Sequence, residues 1–236
     1  IPVMRRIPPL FLGVAAAALL VAGCGSDDGA ATGPSPADGA GTASDAAPES
    51  SATTAGPLAV AVTGPQEGVA ASGADMEEPP GKPDNGADFT TQVEYALQGD
   101  LLSDARVAGR TTAVCPHGVT REAKASSACT VTYEGVEIPY TVTIGETYEP
   151  DDVLTPYRAE PQKRLLVARR VHHEFWERFG GDAGTELSCD EIPVAAAVDG
   201  SAPSGYTCQT VRDGGAATRY TVAADADGPR FDRVQD

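Results

Sequence analysis

Val93, Leu97 and Leu101 recur at a spacing of four, with Ala96 beside them, behind an Asp88 suited to cap a helix. This predicts an amphipathic helix over 89–104, with Gly99 a weak point inside it. The period then changes. Thr111-Thr112-Ala113-Val114-Cys115 is short and β-prone, and Cys129-Thr130-Val131-Thr132-Tyr133 alternates with period two. Glu134-Gly135 turns the chain, and Val136 to Ile144 returns as a second alternating strand, so a hairpin is expected. Pro139 within the return strand points to a sheet edge or a bulge.

The same order follows in the second half. Pro161 suits a first helical turn, and Leu165, Ala168, Val171, Phe175 and Phe179 form one apolar stripe, which predicts a helix over 163–179. Gly180-Gly181 ends it. Cys189 comes next, then a Gly/Ser/Pro loop, Tyr206 to Val211, an Asp213-Gly214-Gly215 turn and Thr218 to Val222. Helix, cysteine, loop, cysteine and hairpin occur twice, for which internal duplication is the simplest account. The expected fold is α+β: two similar units, 89–152 and 160–236, each with one helix on an antiparallel sheet of three or four strands. Phe175 and Phe179 should then contact Tyr220, Val222 or Val211, and the connector 149–160, with Pro150 and Pro156, should be irregular. If the units pack side by side, Tyr157 and Trp176 are the expected interface residues.

The first 88 residues differ in kind. Arg5-Arg6 precedes an apolar run from Leu10 to Ala22, 13 residues against the ~20 that span a bilayer as a helix. A start at Val3 or Met4 is expected. The run ends in Leu20-Val21-Ala22-Gly23-Cys24, which resembles the lipobox of bacterial lipoproteins. That resemblance implies a signal peptide over 1–23, cleavage before Cys24 and lipid on its sulfur. Two acyl chains at ~0.8 kcal/mol per buried methylene hold firmly, which expects the protein on the outer face of the cytoplasmic membrane. Residues 24–88 are rich in Ala, Gly, Ser, Thr, Pro and Asp with no sustained apolar period, and read as a disordered acidic tether. Leu58 to Val62 is its one apolar stretch, read as a coincidence of small residues.

Charge and cysteines narrow the picture. Seventeen basic residues against 34 acidic ones give a net charge of −17, which argues against nucleic acid as a partner. With Cys24 given to lipid, Cys115, Cys129, Cys189 and Cys208 remain for an oxidising compartment. Three connectivities exist; pairing within each unit closes the shortest loops, with 13 and 18 intervening residues. Loops near that length contribute roughly 3 kcal/mol. No Cys-x-x-Cys spacing supports a redox role.

Val114-Cys115-Pro116, then Cys129-Thr130-Val131-Thr132, a Gly-containing turn and Thr141-Val142-Thr143 resemble an uncharacterised family, domain of unknown function 4333, found in lipoproteins of high-G+C Gram-positive bacteria. The resemblance covers about 89–148 and implies a small disulfide-bonded α+β domain without a known activity. The second unit departs from it, with Asp190 in place of the proline.

Candidate chemistry centres on His172-His173-Glu174. Helical geometry puts His172 on the rim of the apolar stripe and His173 toward solvent, where His173 and Glu177 supply only two of the ligands that a metal needs. His117 is expected in a loop, and Asp151-Asp152 and Glu191 in connectors as solvated acids. No nucleophile elbow, phosphate loop or His-Glu-x-x-His is present. Tyr148, Tyr157 and Trp176 are the aromatics that could be exposed. The expected function is a surface-anchored, non-catalytic binding or inhibitory module, without cofactor or metal, meeting the membrane through its lipid and an envelope protein as partner. The alternative is a metal-dependent or hydrolytic accessory enzyme using His172 and His173.

Overall fold

A computed structural model describes residues 56–200 and 202–235. The expected signal peptide, Cys24 and the first part of the expected tether lie outside the described residues. The chain folds as α+β, with two helices on antiparallel sheets and two disulfides, Cys115–Cys129 and Cys189–Cys208.

In the first half, helix α1 (Phe89–Ala105) begins where Asp88 accepts the Thr91 amide at 3.0 Å and the Thr91 hydroxyl at 2.5 Å. Its apolar face, Val93, Leu97, Leu101 and Leu102, is buried on a sheet ordered β2 (Thr111–Val114), β3 (Ser126–Tyr133), β4 (Val136–Ile144) and β5 (Tyr157–Pro161). Val131, Ile138, Val142 and Ile144 form the facing layer. The β3–β4 turn is the two-residue loop expected: Glu134 and Gly135 have φ of 48° and 86°, the sign a type I′ turn requires.

In the second half, helix α2 (Ala168–Phe179) lies on a sheet that contains β7 (Thr185–Cys189), β9 (Pro203–Arg212), β10 (Ala217–Ala224) and β11 (Pro229–Arg233). Phe175 is fully buried, with ring centroids 5.9 Å from Tyr220 and 5.1 Å from Phe231; Phe179 is 4.6 Å from Tyr220. The predicted helix-to-sheet contact is therefore present. In the first half the four strands after the helix pair in chain order, whereas in the second the strand between β7 and β9 belongs to another sheet, and the second sheet has five strands where three or four were expected.

Four expectations are corrected. Residues 163–167 are not helical: Arg164–Val167 forms β6, paired antiparallel with β8 (Ala195–Val198), and Pro161 ends β5 instead of opening a helix. The apolar stripe fits a helix, but Leu165-Leu166-Val167 is also a continuous apolar run, which suits a strand with both faces covered. Second, the units do not stop at 152 and resume at 160. Tyr157–Pro161 is the fourth strand of the first sheet, so only the stretch before Tyr157 is irregular, and the predicted boundary cuts a strand. Third, the tether is not structureless to residue 88. Val60–Ala61 forms β1, which extends the second sheet by pairing with β7, and Val62 is buried in the second core. Fourth, Pro139 is in a strand flanked on both sides, opposite Thr130, but β5 pairing begins only at Tyr140, so its missing N–H falls beyond the β5 ladder.

The small β6–β8 sheet is the wall between the cores. Leu165 and Val167, opposite Ala197 and Ala195, face the first core; Leu166, opposite Ala196, faces the second. The expected interface residues lie elsewhere. Tyr157 packs edge-on against Phe89, ring centroids 6.0 Å apart, and Trp176 packs against the second core.

Candidate functional site

The segment before α1 crosses both halves as a strap. Leu58 donates its amide to Ser188 Oγ at 3.0 Å, Val62 to the Leu187 carbonyl at 2.9 Å, and Ala70 to the Arg106 carbonyl at 2.8 Å. Between these, the Gln66 amide donates to His173 Nδ1 at 3.1 Å. His173 is thus half-buried and holds the strap instead of facing solvent, which corrects the expectation from helical geometry.

Two arginines lock the junction. Arg106, the left-handed residue that ends α1 (φ 53°), donates to the Ala70 and Ala71 carbonyls at 2.8 and 2.7 Å. Its Nη1 lies 3.3 Å from Glu174 Oε1 on α2. The same oxygen accepts from Arg170 Nε at 2.7 Å. Arg170 is 5% exposed, and its remaining nitrogens donate to the Asp104 carbonyl at the end of α1 and to the Asp227 carbonyl between β10 and β11, the latter at 2.6 Å. A guanidinium at a helix C-terminus is favoured by the dipole as well as by the hydrogen bonds. One carboxylate and two guanidiniums therefore join the strap, both helices and the last hairpin. The sequence reading picked out Glu174 but neither arginine. Arg170 stands four residues before Glu174 and next to buried Val171, a spacing that marks an ion pair but gives no sign that the pair is buried.

Beside this clamp a cleft of about 400 Å³ opens at the junction. Its apolar walls are Val107 and Ala108 after α1, Val167 and Ala168 at the start of α2, and Val194 at the rim, 72% exposed. Its polar groups are Gln66, Glu134, Arg169, His172 and the edge of Tyr133. Glu134 is already committed: it accepts the Arg110 amide at 2.6 Å and pairs with the Arg110 guanidinium at 3.7 Å. The Tyr133 hydroxyl donates to the Val107 carbonyl at 3.0 Å. Burial, with Glu134 nearby, pushes the Tyr133 phenol up, and the positive charge of Arg169 opposes that. The exposed Arg169 side chain makes no hydrogen bond or ion pair with another described residue.

His172 lines the cleft, and burial holds its imidazole below the usual histidine value. Its Nε2 is enclosed and has no hydrogen-bond partner among the described residues. His172 and His173 are thus not brought to one ligand: one ring nitrogen is sealed in the packing and the other ring holds the strap. Among the described residues, no three His, Cys, Asp or Glu side chains gather as a metal site. His117, Asp151, Asp152 and Glu191 are exposed and apart from the cleft, and Tyr148 is buried in the first core. No described helix is long and apolar enough to cross a membrane.

Comparisons of the chain with protein-family models, curated proteins and solved structures yield no match. The resemblance to the lipoprotein domain family rests on the residues quoted for it alone.

Proposed function

We propose that this chain is a lipid-anchored, extracytoplasmic binding module whose ligand sits in the cleft where the two halves meet. The observation that carries the reading is the cleft itself, a hollow lined by apolar and polar groups in about equal measure, placed on a junction held by the Arg106–Glu174–Arg170 clamp. Ligand sites favour such junctions, and rigid surroundings reduce the ordering cost of binding. The lipobox at Cys24 and the two disulfides support display outside the cytoplasm.

The hydrolytic or metal-dependent reading has less support. A general base must reach a proton and is oriented by a partner, whereas His172 Nε2 is sealed and His173 Nδ1 is occupied by the strap. A helix followed by a disulfide-linked antiparallel sheet in each half, apart from the inserted β8 and the added β1, supports descent of both from one duplicated ancestor, with the first retaining the Cys-Pro pattern of the lipoprotein domain family.

A photo-crosslinking amino acid at Val194, on the cleft rim, tests the reading in living cells against the same group at exposed Arg233. Adducts specific to position 194 are expected, and Cys24→Ser should remove the acyl mass from the mature chain. Adducts at 233 with none at 194 would remove the cleft from consideration.

A further inference from the structure

We infer that the cleft takes a small amphiphile with an apolar body and a single carboxylate head, bound through Arg169. The inference rests on the binding-module reading above and specifies the chemistry of its ligand.

Four observations lead to it. The apolar part of the lining, exposed Ala108 and Val194 together with the buried Val107 and Val167, carries no charge and suits an aliphatic or ring body. A volume of about 400 Å³ accommodates on the order of ten non-hydrogen atoms at roughly 30 Å³ each. Of the two charged groups in the lining, Glu134 is already paired with Arg110, whereas Arg169 has no hydrogen bond or ion pair among the described residues. Its planar fork matches a carboxylate in a bidentate geometry that a point charge would not select. Although the chain has twice as many acids as bases, none of the described acids pairs with this guanidinium.

Glu134 also sets a limit. Its carboxylate lies in the same lining, so a second anionic group on the ligand would meet a like charge. A dicarboxylate should therefore bind more weakly than a monocarboxylate of the same length. Gln66, whose amide is fixed by His173, lets the strap close one side of the hollow without adding charge.

The experiment compares octanoate, octanol, octylamine and octanedioate against the intact chain, by calorimetry and by amide NMR shifts. Octanoate is expected to bind saturably, with shifts at Ala108, Ala168, His172 and Val194. It should bind about tenfold more tightly than octanol, the worth of a charge-assisted hydrogen bond. Arg169→Gln should abolish that preference, and Arg233→Gln, remote from the cleft, should leave it intact. If octanol or octylamine shifts the same residues and binds as well as octanoate, the carboxylate assignment is wrong while the cleft reading stands. The same holds if Arg169→Gln keeps the preference. If none of the four compounds shifts cleft residues at saturation, while position 194 still crosslinks a protein in cells, the amphiphile inference falls and the binding reading survives. Failure of both measurements overturns both.

Discussion

Arg170 shows how one side chain can hold a junction. Its guanidinium is buried, and its donors go to one carboxylate and two backbone carbonyls on three different elements. Removing one member of a buried, hydrogen-bonded pair costs roughly 3–5 kcal/mol, because the partners are left without compensation. Arg170→Met should therefore destabilise by about 3 kcal/mol in urea titration, toward the lower end because Arg106 still reaches Glu174. Gly228 offers a second test of the same packing. Its φ is +126°, and a Cβ there would overlap the Arg170 guanidinium. Gly214, at φ +70° with open space around it, carries only the backbone penalty of ~1–2 kcal/mol. Gly228→Ala should lower stability clearly more than Gly214→Ala. His172 gives a pH signature. Burial lowers its folded pKa below the ordinary 6.5, so the unfolded chain binds more protons in the window beneath that value. Its contribution is complete above pH 6.5 and is lost as pH falls through the lowered folded value. Urea midpoints between about pH 7.5 and 5 should therefore fall less steeply with acid in His172→Gln than in the parent chain.

Among the elements, those that bury one face were legible and those that bury two were not. Val93, Leu97 and Leu101 announce α1, and the alternation from Cys129 to Tyr133 and from Val136 to Ile144 announces the hairpin, because each has one apolar and one polar side. β6 has no polar side to show its period. Leu165 and Leu166 enter different cores, and only the partner strand some 30 residues later reveals why. That partner, Ala195-Ala196-Ala197-Val198, is low in β-propensity. Small residues suit it because each of its faces lies against a full core. The strap was missed for a related reason: its order comes from pairing to β7 and from arginine bonds to its carbonyls, not from an apolar period of its own. The cleft was legible only in part. His172 was singled out, but the approach of Val107, Arg169 and Val194 depends on how the halves join. If the strap is structural, Val62→Ala should cost about 1–3 kcal/mol by leaving a void in the second core. A change near zero in denaturant titration would return residues 56–66 to the status of a loose leader.

At the scale of the molecule, the two halves are joined through a common wall instead of standing as two beads. The described chain is a single compact body, and its halves share a wall that neither half can build alone: β6 and β8 complete both cores from opposite faces. Shared surface of this kind couples unfolding, because losing one half exposes the apolar back of the wall that remains. The proposed binding site depends on that coupling, since the cleft takes lining residues from both halves and from the strap. Leu166→Ala tests it most directly. Leu166 is fully buried and faces only the second core, so a local effect would destabilise that half by roughly 2–5 kcal/mol and leave the first untouched. Urea unfolding should be followed at Trp176, the single tryptophan, for the second half, and at the Ile138 amide resonance for the first. The account predicts that both probes report one transition and that Leu166→Ala moves both midpoints down together. Two separated transitions, with only the Trp176 midpoint shifted, would contradict it.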